Sequence, residues 1–554
     1  MGDFSRDTHD PKKHYSGVLM QQGRVQLDAD WNEQLSLQLY RTELETRDVV
    51  GLSGVPKKTG GFLIGLTPDK LDLTIAPGRI YVGGLLCESD ANAVAVAFIQ
   101  NATNRVTLES LFADGAPLGA GQWVEISAGN KADKKLLKIT AIDATQRALT
   151  FDGSVVEFQN AGQARVRRVT TFLTQPDYPG AAFPSPLTSP LSSPPASPLS
   201  SPPQSVFADG LYIVFLEAWK REISALDDAR IREVALGGPD TATRLKNVWQ
   251  VKVIPVAKPV TGAATCDTGF KEWDDLVAPS TGRMNARTKP TADEKDPCLL
   301  PPTAGFTRLE NQLYRVEVHK GGDRQTARFK WSRDNSVVRT GITNVNGQIV
   351  TVADIGRDEV MSFAGGQWVE ITDEESILKN APRQLVQIDK IDPATGEVTL
   401  KNPAGSLAGR VNLQLVRWDQ TGAAAQADGV AMVDPANDNW IDLESGVQVQ
   451  FAGGTYRAGD YWLIPARTAT GEIEWPPFAV PNVDPIPQPP VGVRHHFARL
   501  ALVEAKGGVI NLKDCRQEFP SLTEICAEDI CVDNDVCGLP NVNNLQDMID
   551  RLCR

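Results

Sequence analysis

The chain has 554 residues, 41% of them apolar and 23% charged, with a net charge of −13 at pH 7. That length exceeds a single hydrophobic core and requires several domains. The acidity excludes a general nucleic-acid binder, which needs a basic surface to displace counterions, and it disfavours docking on anionic lipid.

No apolar run reaches the length of a membrane-spanning helix. The polar start MGDFSRDTHDPKKHYSG has no apolar leader core, so assembly in the cytoplasm is expected. The next stretch, YSGVLMQQGRVQLDADWNEQ (Tyr15–Gln34), begins like a strand and ends like a helix. Leu27, Trp31, Leu35 and Leu39 recur every four residues, which predicts a helix from about Asp30 to Val50 with one apolar stripe. Asp30 and Glu33 have the spacing of a capping box, with Asp30 as the cap. Residues 1–60 therefore read as an arm and a helix that serve for attachment.

A β-domain is predicted over 61–172. The Pro/Ser-rich run FPSPLTSPLSSPPASPLSSPPQS (Phe183–Ser205) marks a semi-rigid linker, drawn over 173–206. A further β-domain covers 207–345, with GLYIVFLEAWKREI and NVWQVKVIPVA as strands and a hairpin from Tyr314 to Val338. A second β-unit spans 346–420, another β-domain 421–520, and a Cys-rich tail 521–554. In that tail NLQDMIDRL places Leu545, Met548, Ile549 and Leu552 on one stripe of a helix too short to stand alone.

The chain repeats itself on the two sides of the linker. The hexapeptide GQWVEI occurs at Gly121–Ile126 and Gly366–Ile371. Ile142-Asp143 and Ile391-Asp392 each precede a turn containing Thr145 or Thr395, and Val166-Arg167 and Val416-Arg417 close the two units. This is a duplicated β-unit, with DPATGE as a hairpin turn. Trp123 and Trp368 are expected in the core against the hairpin, with exposed sugar platforms as the alternative.

Chemistry is hard to find. The phosphate loop, the dinucleotide fingerprint, the nucleophile elbow and HExxH are all missing. His495 and His496 are adjacent, so they would point to opposite faces of a strand, and they read as half core and half surface. Asp28, Asp30, Glu125, Glu370 and the Asp373–Glu375 run read as structural or solvated carboxylates. Calcium loops at Asp434–Trp440 and Glu528–Asp535 lack the full ligand order. Cys87 reads as a core residue, and Cys266 and Cys298 flank a Gly/Pro-rich loop. Cys515, Cys526, Cys531, Cys537 and Cys553 lack the CxxC pairs of a zinc site. Local disulfides in the tail are expected if the chain leaves the cell. No catalytic, cofactor-binding or metal residue is predicted.

The opening DFSRDTHDPKKHYSGVLMQQGRVQLDADWNEQ resembles the N-terminus of an uncharacterised family of phage-tail-like contractile injection system proteins. IAPGRIYVGGLLCE, EVALGGPDTATR, ENQLYRVEVH, FKWSRDNS, GDYWLIPARTATG and DCRQEFPSLT are similar too. The resemblance implies a structural, non-enzymatic component, baseplate-associated as connector, cage or fibre-type protein. Its partners would be other baseplate or tail proteins, as a homo-oligomer, in an intracellular or released extracellular particle. The alternative is a carbohydrate-binding or carbohydrate-cleaving module that engages a cell envelope through a surface glycan. The fold expected is mainly β: several small sandwich- or barrel-like domains including the duplicated unit, an N-terminal helix and a short C-terminal helix. Leu27, Trp31, Leu35, Leu39, Leu545 and Ile549 are the expected assembly contacts.

Overall fold

The apolar alternation around GQWVEI closes two six-stranded barrels. Val124 and Ile126 point into the first, with Leu137, Ile139, Leu149, Phe151 and Val166. Val369 and Ile371 do the same in the second, with Val386, Ile388, Val398, Leu400 and Leu415. Neighbouring strands in the first barrel are Trp123–Ser127, Lys135–Asp143, Ala148–Phe151, Arg105–Leu108, Ala93–Ile99 and Arg165–Arg168. The second follows the same order with Trp368–Thr372, Leu385–Asp392, Glu397–Leu400, Ile349–Val352, Arg339–Asn346 and Gln414–Trp418. Even the bulges correspond, at Ile139/Ala141 and Ile388/Lys390. The second barrel thus takes in Arg339–Asn346 as its first strand. The chain is mainly β, with helices at both ends.

This computed structural model describes residues 2–89, 92–99, 104–129, 134–159, 163–180, 206–260, 262–288, 305–356, 361–381, 383–405, 407, 409–422, 425–478, 484–530, 532, 542 and 544–553. The Pro/Ser run Phe183–Ser205 and Cys298, Cys531 and Cys537 lie outside the described residues.

Strand register corrects one sequence match. Val124 faces Arg168 and Val369 faces Arg417, so Arg168 and not Arg167 is the counterpart of Arg417. Both guanidiniums bind main-chain carbonyls of the segment ahead of GQW. Arg168 donates to Ala116 and Pro117 at 2.9 and 2.8 Å, and Arg417 to Ser362 at 2.8 Å. The tryptophans also differ from expectation. They alternate with the inward valines and so lie on the outer barrel faces. Trp123 is buried beneath Lys138, whose Nζ is 5.4 Å from the ring centroid. Trp368 is half-buried beside Leu385, Val416 and Trp418.

The chain divides into two compact units, residues 1–41, 220–246 and 278–494, and residues 42–219, 247–277 and 495–554. Each holds one barrel inserted into a body of packed sheets. In the unit containing the second barrel, the strands Gln312–Lys320, Arg328–Ser332 and Tyr461–Arg467 pack Tyr314, Val316, Phe329, Trp331 and Trp462 against Val447, Val449 and Phe451. In the other, Tyr212, Val214, Leu216, Leu500 and Val503 pack against Ile80, Val82, Phe62 and Trp249. The hairpin turn Gly83-Gly84 is glycine for contact reasons. A Cβ on Gly83 would fall 2.0 Å from the His496 ring, and one on Gly84 would fall 2.4 Å from the Glu43 carbonyl of the first helix.

The central strand of the second barrel's unit is two-faced. Tyr314, Val316 and Val318 enter the apolar core, while Arg315, Glu317 and His319 face the other way. There Lys330 Nζ lies 2.6 Å from Glu370 of the barrel and 3.3 Å from Glu317, and Trp418 Nε1 donates to Glu370 at 3.1 Å. Burial pushes Glu317 up, but Arg315 and Lys330 hold it below the ordinary carboxylate range. Lys330 is buried between two carboxylates, so removing it leaves Glu370 without its cation and Glu317 with Arg315 alone. Lys330→Ala should therefore destabilise the protein by about 3–5 kcal/mol, read from the urea midpoint.

In the other unit His495 takes a charged partner while His496 covers the glycine turn. His495 Nδ1 is 2.8 Å from Glu217, and Lys252 Nζ is 2.5 Å from the same carboxylate. Burial pushes Glu217 up, yet these two partners hold it down to about 2. A depressed carboxyl contributes stability that is present above its unfolded value of about 4.5 and is lost as pH falls through about 2. Glu217→Gln should cost about 3 kcal/mol at pH 7, and the difference from wild type should shrink steadily below pH 4.5 in urea titrations.

The cysteines depart from the local pairing expected. Cys515 bonds to Cys266, a sequence separation of 249, and ties the end of strand Val509–Asp514 to the loop ahead of the helix Lys271–Val277. Cys526 and Cys553 are free and exposed, and burial pushes the Cys87 thiol up to about 12.

Candidate functional site

The N-terminal segment is pinned at both of its feet. Asn335 Nδ2 donates to the Gly2 carbonyl at 3.0 Å, Arg467 donates to the Ser5 carbonyl at 3.2 Å, and Arg6 pairs with Glu474 at 3.1 Å. The first helix, Asp28–Val50, holds the other side. Asp28 accepts the Ser5 N–H at 2.8 Å, Glu33 accepts the Thr8 hydroxyl at 2.6 Å, and Gln34 accepts the Val18 N–H at 2.6 Å. Burial tends to raise Asp28, but the hydrogen bonds from Ser5 hold it below the ordinary range. Asp30 is not the cap. Its carboxylate reaches back to the Leu27 N–H at 3.4 Å, the part played by the third helical residue of a capping box, and the helix starts at Asp28. Asp28 and Asp30, expected as structural or solvated carboxylates, are thus employed in stapling the arm and capping the helix.

Between these feet the chain projects. Pro11–Lys13 forms one 3-10 turn capped by Asp10, and Tyr15–Leu27 runs without regular structure around a turn at Gln22-Gly23, where Gly23 has φ 72°. Leu19 is 90% exposed, Val25 83% and Met20 56%. The helix turns Ala29 and Leu37 inward. The four-step stripe therefore faces out: Leu27, Trp31 and Leu35 are exposed and Leu39 is half-buried. Trp31 is the one exposed tryptophan of eleven; nine are buried and Trp368 is half-buried. Trp31 has Leu27 and Leu35 one helical turn away on either side, both exposed.

The remaining predicted contacts lie in the other unit. The C-terminal helix Leu545–Leu552 is capped by Asn544, which accepts the Asp547 N–H at 2.9 Å. Leu545 is half-buried and its N–H binds the Ile530 carbonyl at 2.9 Å, while Ile549 and Leu552 are exposed. The structure therefore brings Leu27, Trp31, Leu35 and Leu39 onto one surface, and Leu545 and Ile549 onto a separate short helix. Leu19, Met20 and Val25 were missed as contacts. Their signal was present in VLMQQGRVQL, an apolar stretch too short and too broken by polar residues to form a core strand.

A cleft in the first barrel's unit, lined by Thr74, Pro77, Glu125, Leu136, Arg167 and Thr170, encloses about 120 Å³, well below the usual ligand pocket. Its Arg167 already pairs with Glu125 at 2.8 Å. Among the described residues no group of three or more His, Cys, Asp or Glu side chains could hold a metal ion, and no helix is long and apolar enough to cross a membrane.

Comparison with known protein families matches residues 1–132, 205–268 and 275–540 to a family of unknown function, DUF6519. The chain belongs to that family. The DUF6519 match takes in the whole projecting arm and its helix, and both anchoring residues Asn335 and Arg467. Neither the curated proteins nor the solved structures gave a match.

If the first helix staples the arm, loosening the staple should free it without unfolding the body. Gln34→Ala combined with Glu33→Ala should raise the rate of limited tryptic cleavage at Arg24 several-fold, with the melting temperature shifted by no more than about 2 °C. An unchanged cleavage rate would remove the stapling role.

Proposed function

We propose that this chain is a structural component of a phage-tail-like contractile injection particle, associated with its baseplate and acting through protein–protein assembly. The observation that carries the reading is the outward placement of Trp31, Leu19 and Val25 on an arm pinned at both feet. A single chain gains nothing from exposing such residues, whereas a subunit of a larger assembly buries them on joining it. The resemblance of the N-terminal segment to proteins of these particles supports the same reading. The Cys266–Cys515 disulfide fits a chain that ends in an oxidising environment, as a released particle does. The role is non-enzymatic, with baseplate or tail proteins as partners.

The glycan-engaging alternative draws less support. Its grounds are the eleven tryptophans and the acidic surface, and Trp123 and most of the other tryptophans are buried.

The test is made in particle-producing cells. Trp31→Asp should lower the amount of this chain in sheared, purified particles at least tenfold, with soluble expression unchanged. Recovery of the variant at the wild-type level would sink the assembly reading.

A further inference from the structure

The arm is chemically unlike the chain that carries it. Residues 11–27, PKKHYSGVLMQQGRVQL, hold Lys12, Lys13 and Arg24 and no carboxylate, a charge of +3 within a chain of net charge −13, which leaves −16 on the rest. All three cations are exposed, and none has an ion-pair partner among the described residues; Lys13 Nζ lies only over its neighbour Tyr15, 6.0 Å from the ring centroid. The backbone is equally uncommitted. Across Tyr15–Leu27 the N–H groups with a partner among the described residues are those of Val18, Arg24 and Leu27. A stretch with free main-chain groups, apolar side chains and positive charge is complementary to an acidic protein surface that offers apolar contacts.

We infer that the occupant of this arm is a second copy of the same chain, whose acidic body receives the basic, apolar arm of its neighbour. The inference rests on the assembly reading and names the partner. Charge decides the geometry. Two arms meeting across a two-fold axis would set Lys12, Lys13 and Arg24 against their own copies, which costs free energy, whereas an arm on a body sets +3 against −16. The contact therefore joins the arm of one copy to the body of another, and it closes by reciprocal exchange of arms, closes into a ring or extends into a chain. Residues 11–35 are about as many as the ~20–30 that each side contributes to a standard interface. The electrostatic part weakens with salt because the cations are exposed.

Sedimentation velocity on the full-length protein tests this. At low salt the wild type should form species of two or more copies in a concentration-dependent way, and 0.5 M NaCl should lower their fraction several-fold. The Leu19→Asp/Val25→Asp double variant should be monomeric, with its circular dichroism and melting temperature unchanged. Lys12→Glu/Lys13→Glu/Arg24→Glu should lose the assembly at low salt. A wild type that stays monomeric at 100 µM in low salt overturns the inference, as does a dimer indifferent to the triple charge reversal. If that monomeric wild type still enters particles and Trp31→Asp does not, the assembly reading stands and only the second-copy partner fails. If Trp31→Asp enters particles normally, the assembly reading itself falls.

Discussion

A barrel inserted into a sheet must rest on something, and in the second barrel's unit it rests on a cation. The sheet face that meets the barrel carries Arg315, Glu317 and His319, a polar row imposed by the alternation that sends Tyr314, Val316 and Val318 into the core. The barrel contributes Glu370. Two carboxylates brought together out of water would repel, and Lys330 between them converts the repulsion into a linked set of charge-assisted bonds. Its ammonium also lies 4.2 Å from the centroid of Trp418, which closes the site against solvent. The other barrel solves its equivalent position differently. Glu125 pairs with Arg167 of its own barrel at 2.8 Å, so the matching hexapeptide has been put to two uses while its inward residues kept one.

The same logic explains how the arm keeps its shape. An apolar segment free at both ends would collapse onto its own body, because burial of each large side chain is favourable by ~1.5–3 kcal/mol. Here the main-chain carbonyls of Gly2 and Ser5 are held by Asn335 and Arg467, and Ser5, Thr8 and Val18 are held by the first two turns of the helix. The chain between them is tethered at its ends by polar bonds and leaves Leu19 and Val25 exposed. Exposure is therefore built by hydrogen bonding, and the apolar surface remains available to a partner.

Much of this was legible in the sequence. Identity over GQWVEI and the alternation beside it predicted a duplicated β-unit, because period-two patterning leaves few ways to bury Val124 and Ile126 together. The strand count and barrel closure were not legible, since Ala93–Ile99 and Arg339–Asn346 share little wording and only pairing reveals their equivalence. The one-residue slip between Arg167 and Arg417 has the same origin: a local match of Val-Arg is shorter than the register it must fix. Trp123 is buried as expected of it, but the parity of the alternation puts it on the outer face of the barrel, and Trp368 at the matching position is only half-buried. The Cys266–Cys515 bond could not be read, since no spacing rule links residues so far apart.

The site itself was half legible. Four-residue spacing identified Leu27, Trp31, Leu35 and Leu39 as a stripe, but spacing cannot say which way a helix turns. What turns this one is polar: Asp28, Glu33 and Gln34 are committed to the N-terminal chain, which fixes the rotation that buries Ala29 and Leu37 and leaves Trp31 outside. An amphipathic pattern normally reports the face that seeks the chain's own core. Here the longer apolar stripe points away and the shorter one packs inward, and hydrogen bonds decide between them. When staples outrank the larger hydrophobic face, the energy of burying that face is left to be collected on association. Under the assembly reading proposed above, the helix is then half of an interface as well as a piece of a fold.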